Sequence, residues 1–467
     1  MAANGDDAPV HVLLFPFPMG SHAVPMLDLA QLLLTRGLKV TVLVTPPNVP
    51  LVDSLRQSHP PSSIETLVLP PPEATPIPNL FRPVAFMNSL RKLHDPIRQW
   101  FQSHPSPPVA IVSDFFLGWT QYLAAELGVP RVVFWTGGAI DAALMNSMFR
   151  DLPKVDNPND ENSILSLPNL PNSPTYAWWQ VSPIYQQYKE GDPNWEIKRN
   201  SMLGNIQCWG ALINTFEELE KVYIDHLKGE MGHDRVWPVG PLLPPEDDKA
   251  GSAKRGGASS VPVEVLMSWL DEKREDSVVY VCFGSRFVLS DQQVASLAAA
   301  LESSGVDFIW VVKEDEVRSM PGGFEDLVAG RGFVIKGWAP QVPILRHRAV
   351  GAFVTHCGWN STMEAITAGV LLLTWPLGAD QFTNAKLLVD ELGAAVRFSE
   401  VGTRAVPDSG EMARLLKESV GAERAEERGR VKELSKAASE APKGGSSSRS
   451  LDGFIQRLRE LKNVKST

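Results

Sequence analysis

The sequence predicts an α/β protein built from two doubly wound domains, each a parallel sheet covered by helices on both faces. Three observations carry that reading. The chain has 467 residues, too many for one hydrophobic core. Short apolar runs alternate with amphipathic stretches in both halves. A polar stretch rich in Pro, Gly and Ser, LLPPEDDKAGSAKRGGASSVP, separates the halves and cannot bury much surface. The expected organisation is a first domain over 1–241, an exposed linker over 242–262, a second domain over 263–448 and a terminal helix over 449–467.

The elements follow in order. VHVLLFPF reads as a strand. Met26, Leu29, Ala30 and Leu33 then recur at helical spacing, so 23–36 reads as a helix, with Gly37 at its C′ position. LKVTVLVT is the next strand. A strand–helix–strand unit of this length is a right-handed crossover, which makes its strands parallel. VAIVSDFF, WTQYLAAELGV and PRVVFW repeat the pattern. It lapses over 151–174, rich in Pro, Asn and Ser, and resumes near GALINTFEELE. Past the linker, DSVVYVCFGS is a strand and SDQQVASLAAALESSG a helix. Ser290 and Gln293 form a capping box there, and Gly305 ends it. DFIWVVK is the next strand. AVGAFVTH is a buried strand, HCGWNS a turn, and STMEAITAG a short helix closed by Gly369. GGSSSRSLDGFIQRLREL reads as a flexible hinge and a last amphipathic helix.

Composition narrows the function. Lys and Arg number 44 and Asp and Glu 54, a formal net charge of −10, which disfavours a nucleic-acid partner. Cys208, Cys282 and Cys357 are scattered without metal-ligand spacing and suit a reducing compartment. The opening MAANGDDAPV lacks the basic and apolar regions of a secretory signal, and apolar runs such as VLLLTW are too short to span a membrane. A cytoplasmic protein is expected.

In open parallel sheets, ligands bind at the carboxyl ends of the strands. His22 and Asp114 each follow a strand of the first half, and Ser285 and His356 each follow a strand of the second. The four are expected to face one cleft. Gly358 would let the backbone approach a ligand, Asn360 or Ser361 would cap the helix, and the free N–H groups of its first turn suit a phosphate. His356, Asn360 and Ser361 would add side-chain donors, and FGS at 283–285 a second glycine turn.

The block from Trp338 to Gln381 resembles the signature box of the plant UDP-dependent glycosyltransferases, the family-1 secondary-product enzymes. The markers in register are Trp338, Gln341, His356, Gly358, Trp359, Asn360, Ser361, Glu364, Asp380 and Gln381. INTFEELE, VWPVGPLLP, VYVCFGS and the C-terminal GGSS helix extend the likeness, and VTPPNVPL is similar to the branch acting on flavonols and phenolic acids. The resemblance implies a GT-B fold: two Rossmann-like domains facing a cleft, the first for the acceptor and the second for the UDP-sugar, with the last helix packed back on the first domain. It implies that Trp338 stacks on uracil and Ala339 contacts it through the backbone. Glu364, helped by Gln341, would bind the ribose hydroxyls, and His356, Asn360, Ser361 and Ser285 the pyrophosphate. Trp359, Asp380, Gln381 and, from the first domain, Thr136 would contact the sugar. His22 would be the general base and Asp114 its orienting carboxylate. Phe17, Met19, Phe86, Phe116, Ile140 and Trp178 are candidates for the acceptor pocket.

These roles describe an inverting transfer to a small phenolic or flavonoid hydroxyl, without metal or cofactor beyond the UDP-sugar, by a monomer. Gln381 leans toward UDP-glucose, while UDP-rhamnose, UDP-xylose and attack by carbon stay open. Two departures stand out. Ser21 replaces the glycine common before this histidine, and Arg286 follows FGS, either as a solvated charge or facing a carboxylate-bearing acceptor. The competing readings are a nicotinamide-dependent oxidoreductase and a non-catalytic sugar-nucleotide binder. The first strand–helix turn, FPMGSHAVP, lacks G-x-G-x-x-G, which counts against the oxidoreductase. Paired His22 and Asp114 count against the binder.

Overall fold

The computed structural model describes residues 9–72, 81–244 and 255–466. The chain divides into two compact units. One runs to Leu242 and takes up again at Ala441; the other is Leu243–Glu440. The return to the first unit thus comes at 441 rather than 449. The first eight residues, and 245–254 of the expected linker, lie outside the described residues.

In the first unit, seven parallel strands make one sheet. They are β1 (His11–Phe15), β2 (Lys39–Val44), β3 (Ile64–Val68), β4 (Ala110–Asp114), β5 (Arg131–Trp135), β8 (Gly210–Ile213) and β9 (Val236–Pro238), in the order β3-β2-β1-β4-β5-β8-β9. The order reverses between β1 and β4, where doubly wound sheets place their ligands. The unbroken apolar run of β1 has a physical reason. Val12 and Leu14 enter one core and Leu13 and Phe15 another, so both faces are covered. Where the alternation lapses stands the first strand of a small antiparallel hairpin, β6 (Ile164–Ser166), paired with β7 (Thr175–Ala177) just past it.

The second unit carries six parallel strands: β10 (Val278–Cys282), β11 (Asp307–Val312), β12 (Gly332–Lys336), β13 (Val350–Thr355), β14 (Leu371–Thr374) and β15 (Ala395–Arg397). Their order is β12-β11-β10-β13-β14-β15, with the reversal between β10 and β13. Val279, Val281, Trp310, Val354 and Leu373 fill the core on one face. The expected capping box is present: Gln293 N–H donates to Ser290 Oγ at 3.2 Å and Ser290 N–H to Gln293 Oε1 at 3.1 Å.

The terminal serines are not a hinge. The last helix already begins at Ser446, and Ser446 and Ser447 are buried. Leu451, Phe454, Ile455 and Leu458 join the core of the first unit beside Val12 and Val40. No helix among the described residues is long and apolar enough to cross a membrane.

Candidate functional site

β1, β4 and β5 are neighbours, so their carboxyl ends bring together residues far apart in the chain. After β1, the helix starts at Gly20, three residues earlier than expected, with extended Met19 as its N-cap. His22 therefore sits in the first helical turn. Its Nδ1 lies 2.8 Å from Asp114 Oδ2, at the end of β4. Thr136 Oγ1, just past β5, is 3.5 Å from the same nitrogen. Asp114 is wholly buried, whereas the His22 side chain keeps 13% of its surface exposed. The other carboxylate oxygen, Oδ1, accepts the Phe116 N–H at 2.9 Å. With both oxygens engaged, the carboxylate is fixed, and a proton on Nδ1 leaves Nε2 as the basic nitrogen. Ser21 has an ordinary helical backbone, so no glycine is required before His22.

Buried groups brace this pair from behind. Arg131, at the start of β5, donates to Ser113 Oγ (2.8 Å), Asn205 Oδ1 (2.9 Å) and the carbonyl of Gly204 (3.1 Å). Burial pulls its pKa down to about 10, which still leaves it a cation beside Asp114. Glu220, from the INTFEELE stretch, accepts the N–H groups of Ala139 (2.9 Å) and Ile140 (2.8 Å). It thereby caps the helix that follows Thr136.

An aromatic wall surrounds His22. Phe116 stacks on it with ring centroids 5.1 Å apart, Phe17 meets it edge-on at 5.4 Å, and Phe17 also touches Phe86 (5.7 Å) and Phe116 (5.2 Å). Met19 packs against the same cluster. Of the acceptor candidates, Phe17, Met19, Phe86 and Phe116 are thus drawn together. Ile140 is wholly buried in its helix, and Trp178 packs on Tyr185 at 6.2 Å. Lys198 was invisible in the sequence, in a helix with no strong apolar face. It is wholly buried, with Nζ 4.6 Å over the Phe116 ring and 3.1 Å from Met202 Sδ. Burial lowers its pKa to about 7 against the opposing pull of Asp114.

In the second unit, the helix after β13 is Trp359–Ala368, begun two residues sooner than expected. Gly358 is its N-cap, so Asn360 and Ser361 stand in its first turn and do not cap it. His356 is wedged between two glycine turns. A Cβ on Gly358 would come within 2.5 Å of its Nε2, and one on Gly284 within 2.7 Å. Desolvation, with the Lys313 ammonium adding to it, pushes the His356 pKa down to about 3. Its imidazole is therefore neutral, with one N–H to donate. Lys313, just past β11, keeps a buried Nζ without a hydrogen-bond partner among the described residues. Ser285 and Arg286 are exposed, and the Arg286 guanidinium rests 5.8 Å from the Phe287 ring, as a solvated charge would.

Glu364 sits deeper in the same helix. Its Oε2 accepts the Gln341 amide at 2.7 Å, and that amide also reaches Ser361 Oγ at 2.9 Å. Its Oε1 accepts Arg255 Nε at 3.0 Å. Trp338 is 37% exposed, and Ala339 beside it is buried. Trp359 is buried. Gln381 Oε1 accepts the N–H groups of Leu377 (2.8 Å) and Gly378 (3.1 Å), which turns its NH₂ the other way. Asp380 Oδ2 accepts the Asn384 amide at 2.7 Å. All donor-side candidates except Thr136 belong to this unit; Thr136 lies beside His22.

Comparison with known proteins follows the same lines. The family model for UDP-glucoronosyl and UDP-glucosyl transferase matches residues 235–409. The chain is 48% identical over 476 residues to flavonol 3-O-glucosyltransferase UGT89B1 of Arabidopsis thaliana, across 98% of each chain. It is 48% identical over 464 residues to UDP-glycosyltransferase 89B2 of Stevia rebaudiana, across 96% of this chain and 97% of that one. The crystal structure of Arabidopsis thaliana UGT89C1 complexed with UDP-L-rhamnose is 36% identical, with a TM-score of 0.78 over 97% of this chain and 100% of that chain. The same protein complexed with quercetin gives 35% and 0.77 at the same coverage. These likenesses run almost end to end and include the glycine turns and the helix that follows them, so the chain belongs to the plant family-1 UDP-glycosyltransferases and has their GT-B fold.

Proposed function

We propose that the protein transfers glucose from UDP-glucose to a hydroxyl of a small phenolic or flavonoid acceptor, with inversion at the anomeric carbon. The observation that carries this reading is the 2.8 Å contact between His22 Nδ1 and the buried carboxylate of Asp114. In the proposed step, His22 Nε2 takes the acceptor's hydroxyl proton as the oxygen attacks the anomeric carbon. The bond from that carbon to the UDP oxygen breaks, and UDP leaves with the electron pair. Asp114 holds the tautomer and stabilises the imidazolium that forms. A hydroxyl is a poor nucleophile at neutral pH, and a positioned base contributes roughly 10²–10⁴-fold.

On the donor side, Trp338 and Ala339 would receive the uracil and Glu364 with Gln341 the ribose. His356, Asn360, Ser361, Ser285 and the first-turn N–H groups of the helix Trp359–Ala368 would receive the pyrophosphate. Trp359, Asp380 and Gln381 would meet the sugar, and the NH₂ of Gln381, turned from its backbone partners, is a donor for a hydroxyl. Those phosphate donors serve in place of a divalent cation. The half-buried rings of Phe86 and Phe116, backed by the buried Phe17, suit a planar acceptor, as do a relative named for a flavonol and a neighbour crystallised with quercetin. The neighbour holding UDP-L-rhamnose supports a second reading, with rhamnose as the sugar. We place the protein in the cytoplasm, where its three free cysteines would stay reduced.

The test is UDP release from a panel of UDP-sugars and phenolic acceptors by the unaltered protein and His22→Ala. A loss of at least about 10²-fold in turnover is expected, with UDP affinity retained. EDTA should leave the rate unchanged. Equal turnover in His22→Ala would remove the base, and rhamnosyl transfer faster than glucosyl transfer would name the other donor.

A further inference from the structure

In the segment joining the two halves, residues 255–262 alternate between half-buried and exposed, and Arg255 turns inward. Arg255 and Glu364 form an ion pair at 3.0 Å, their side chains only 8% and 7% exposed. A Cβ on Gly257 would come within 2.9 Å of both ring-fusion carbons of Trp338, and one on Gly256 within 2.9 Å of its Cζ2. The diglycine backbone therefore lies on a face of the indole, where no side chain would fit. Two further bonds pin the arrangement. Ser260 N–H donates to the Trp338 carbonyl at 2.8 Å, and Trp338 N–H donates to Ser260 Oγ at 2.7 Å. A side chain on Gly337 would strike that hydroxyl at 2.4 Å. Trp338 nevertheless remains more than a third exposed, so a surface of the indole is left for a ligand.

We infer that Arg255 is a positioning residue for the donor: with Gln341 it clamps the Glu364 carboxylate in the orientation that accepts the ribose hydroxyls, while Gly256 and Gly257 back the indole that carries the base. This rests on the reading of Trp338 and Glu364 as the uridine site. Gln341 and Arg255 occupy one lone pair on each oxygen of Glu364, and a carboxylate has about four. The remainder would be left for the ribose hydroxyls. Without Arg255 the carboxylate keeps one anchor and a buried, uncompensated charge.

The experiment compares the binding of UDP and 2′-deoxy-UDP, by calorimetry, to the unaltered protein, Arg255→Ala and Arg255→Lys. The unaltered protein should prefer UDP. In Arg255→Ala, the Kd for UDP should rise about tenfold, the scale of one lost hydrogen bond to a charged group. The Kd for 2′-deoxy-UDP should rise less, so the preference for the 2′-hydroxyl shrinks. Arg255→Lys should fall between. In turnover, Arg255→Ala should raise KM for the UDP-sugar with kcat and the acceptor KM little changed. UDP binding that is unchanged or tighter in Arg255→Ala would overturn the inference and make the segment a cover that the nucleotide displaces. Equal losses for both nucleotides would also overturn it, since Arg255 would then act without Glu364. If the unaltered protein binds neither nucleotide, the uridine reading itself fails and takes this inference with it.

Discussion

Lys198 shows how one residue can set a cost that the rest of the site must offset. Its amine is buried behind Phe116, and its pKa falls to about 7 from the usual 10.5 because burial penalises the charge. Between those two values the unfolded chain binds a proton that the folded chain does not. Stability therefore rises with pH through that window. Below about pH 7 both states are protonated, and the penalty is complete, on the order of 5 kcal/mol. Lys198→Met keeps most of the volume and removes the charge. We expect it to raise the melting temperature most at pH 6.5 and progressively less toward pH 10, measured by thermal denaturation across that range. A loss of stability at pH 6.5 would mean that Asp114 and the Phe116 ring more than repay the burial. Nothing in EIKRNSMLG marks this lysine, because burial of a cation is decided by what packs over it. His22 and Asp114 were different. Asp114 ends a readable strand and His22 follows one, so the sequence placed both at the carboxyl end of one sheet, although the 2.8 Å contact needed the strand order.

At the scale of elements, helix starts were the least readable feature. The helices at His22 and at Asn360 begin at Gly20 and Trp359, two or three residues before the apolar periodicity does. The first turns, Gly20-Ser21-His22 and Trp359-Asn360, do not carry the apolar spacing that reveals a helix, so they read as turn. This moves Asn360 and Ser361 from capping into the turn where free N–H groups gather. It also gives Gly358 its meaning. At φ −62° and ψ 139° any residue could stand there, so the backbone does not require glycine. The requirement is space, since a methyl group would lie 2.5 Å from His356 Nε2. Gly358→Ala must shift His356 or the turn. We expect the Kd for UDP to rise by about tenfold to a hundredfold, the range that misplacement by an ångström produces, read by calorimetry. An unchanged Kd would show that His356 does not hold the phosphates. The contacts of Arg255 were hidden for a related reason. Arg and Gly in a low-complexity stretch look solvated until a buried carboxylate and an indole are found beside them.

At the scale of the molecule, the first unit is discontinuous: it is completed by the last residues of the chain. Phe454 meets the Trp237 ring at 5.1 Å, and Leu451, Ile455 and Leu458 enter the core that holds β1 and β2. Ser447 Oγ donates to the Gly240 carbonyl, and Ser446 Oγ to Glu218 at 2.7 Å. The partly exposed Arg36–Asp452 pair adds roughly 0–1 kcal/mol, so the apolar face is what fastens the helix. Removing one large buried side chain, as in Phe454→Ala, should cost about 3–5 kcal/mol. The stronger expectation concerns fragments. Residues 9–244 made alone should unfold without cooperativity and show weak near-ultraviolet dichroism from their buried tryptophans. A peptide of residues 441–466 added in trans should restore a sharp transition, with a midpoint that rises with peptide concentration. If the fragment alone already melts as sharply as the first unit does within the intact chain, the terminal helix is a passenger and not part of that core.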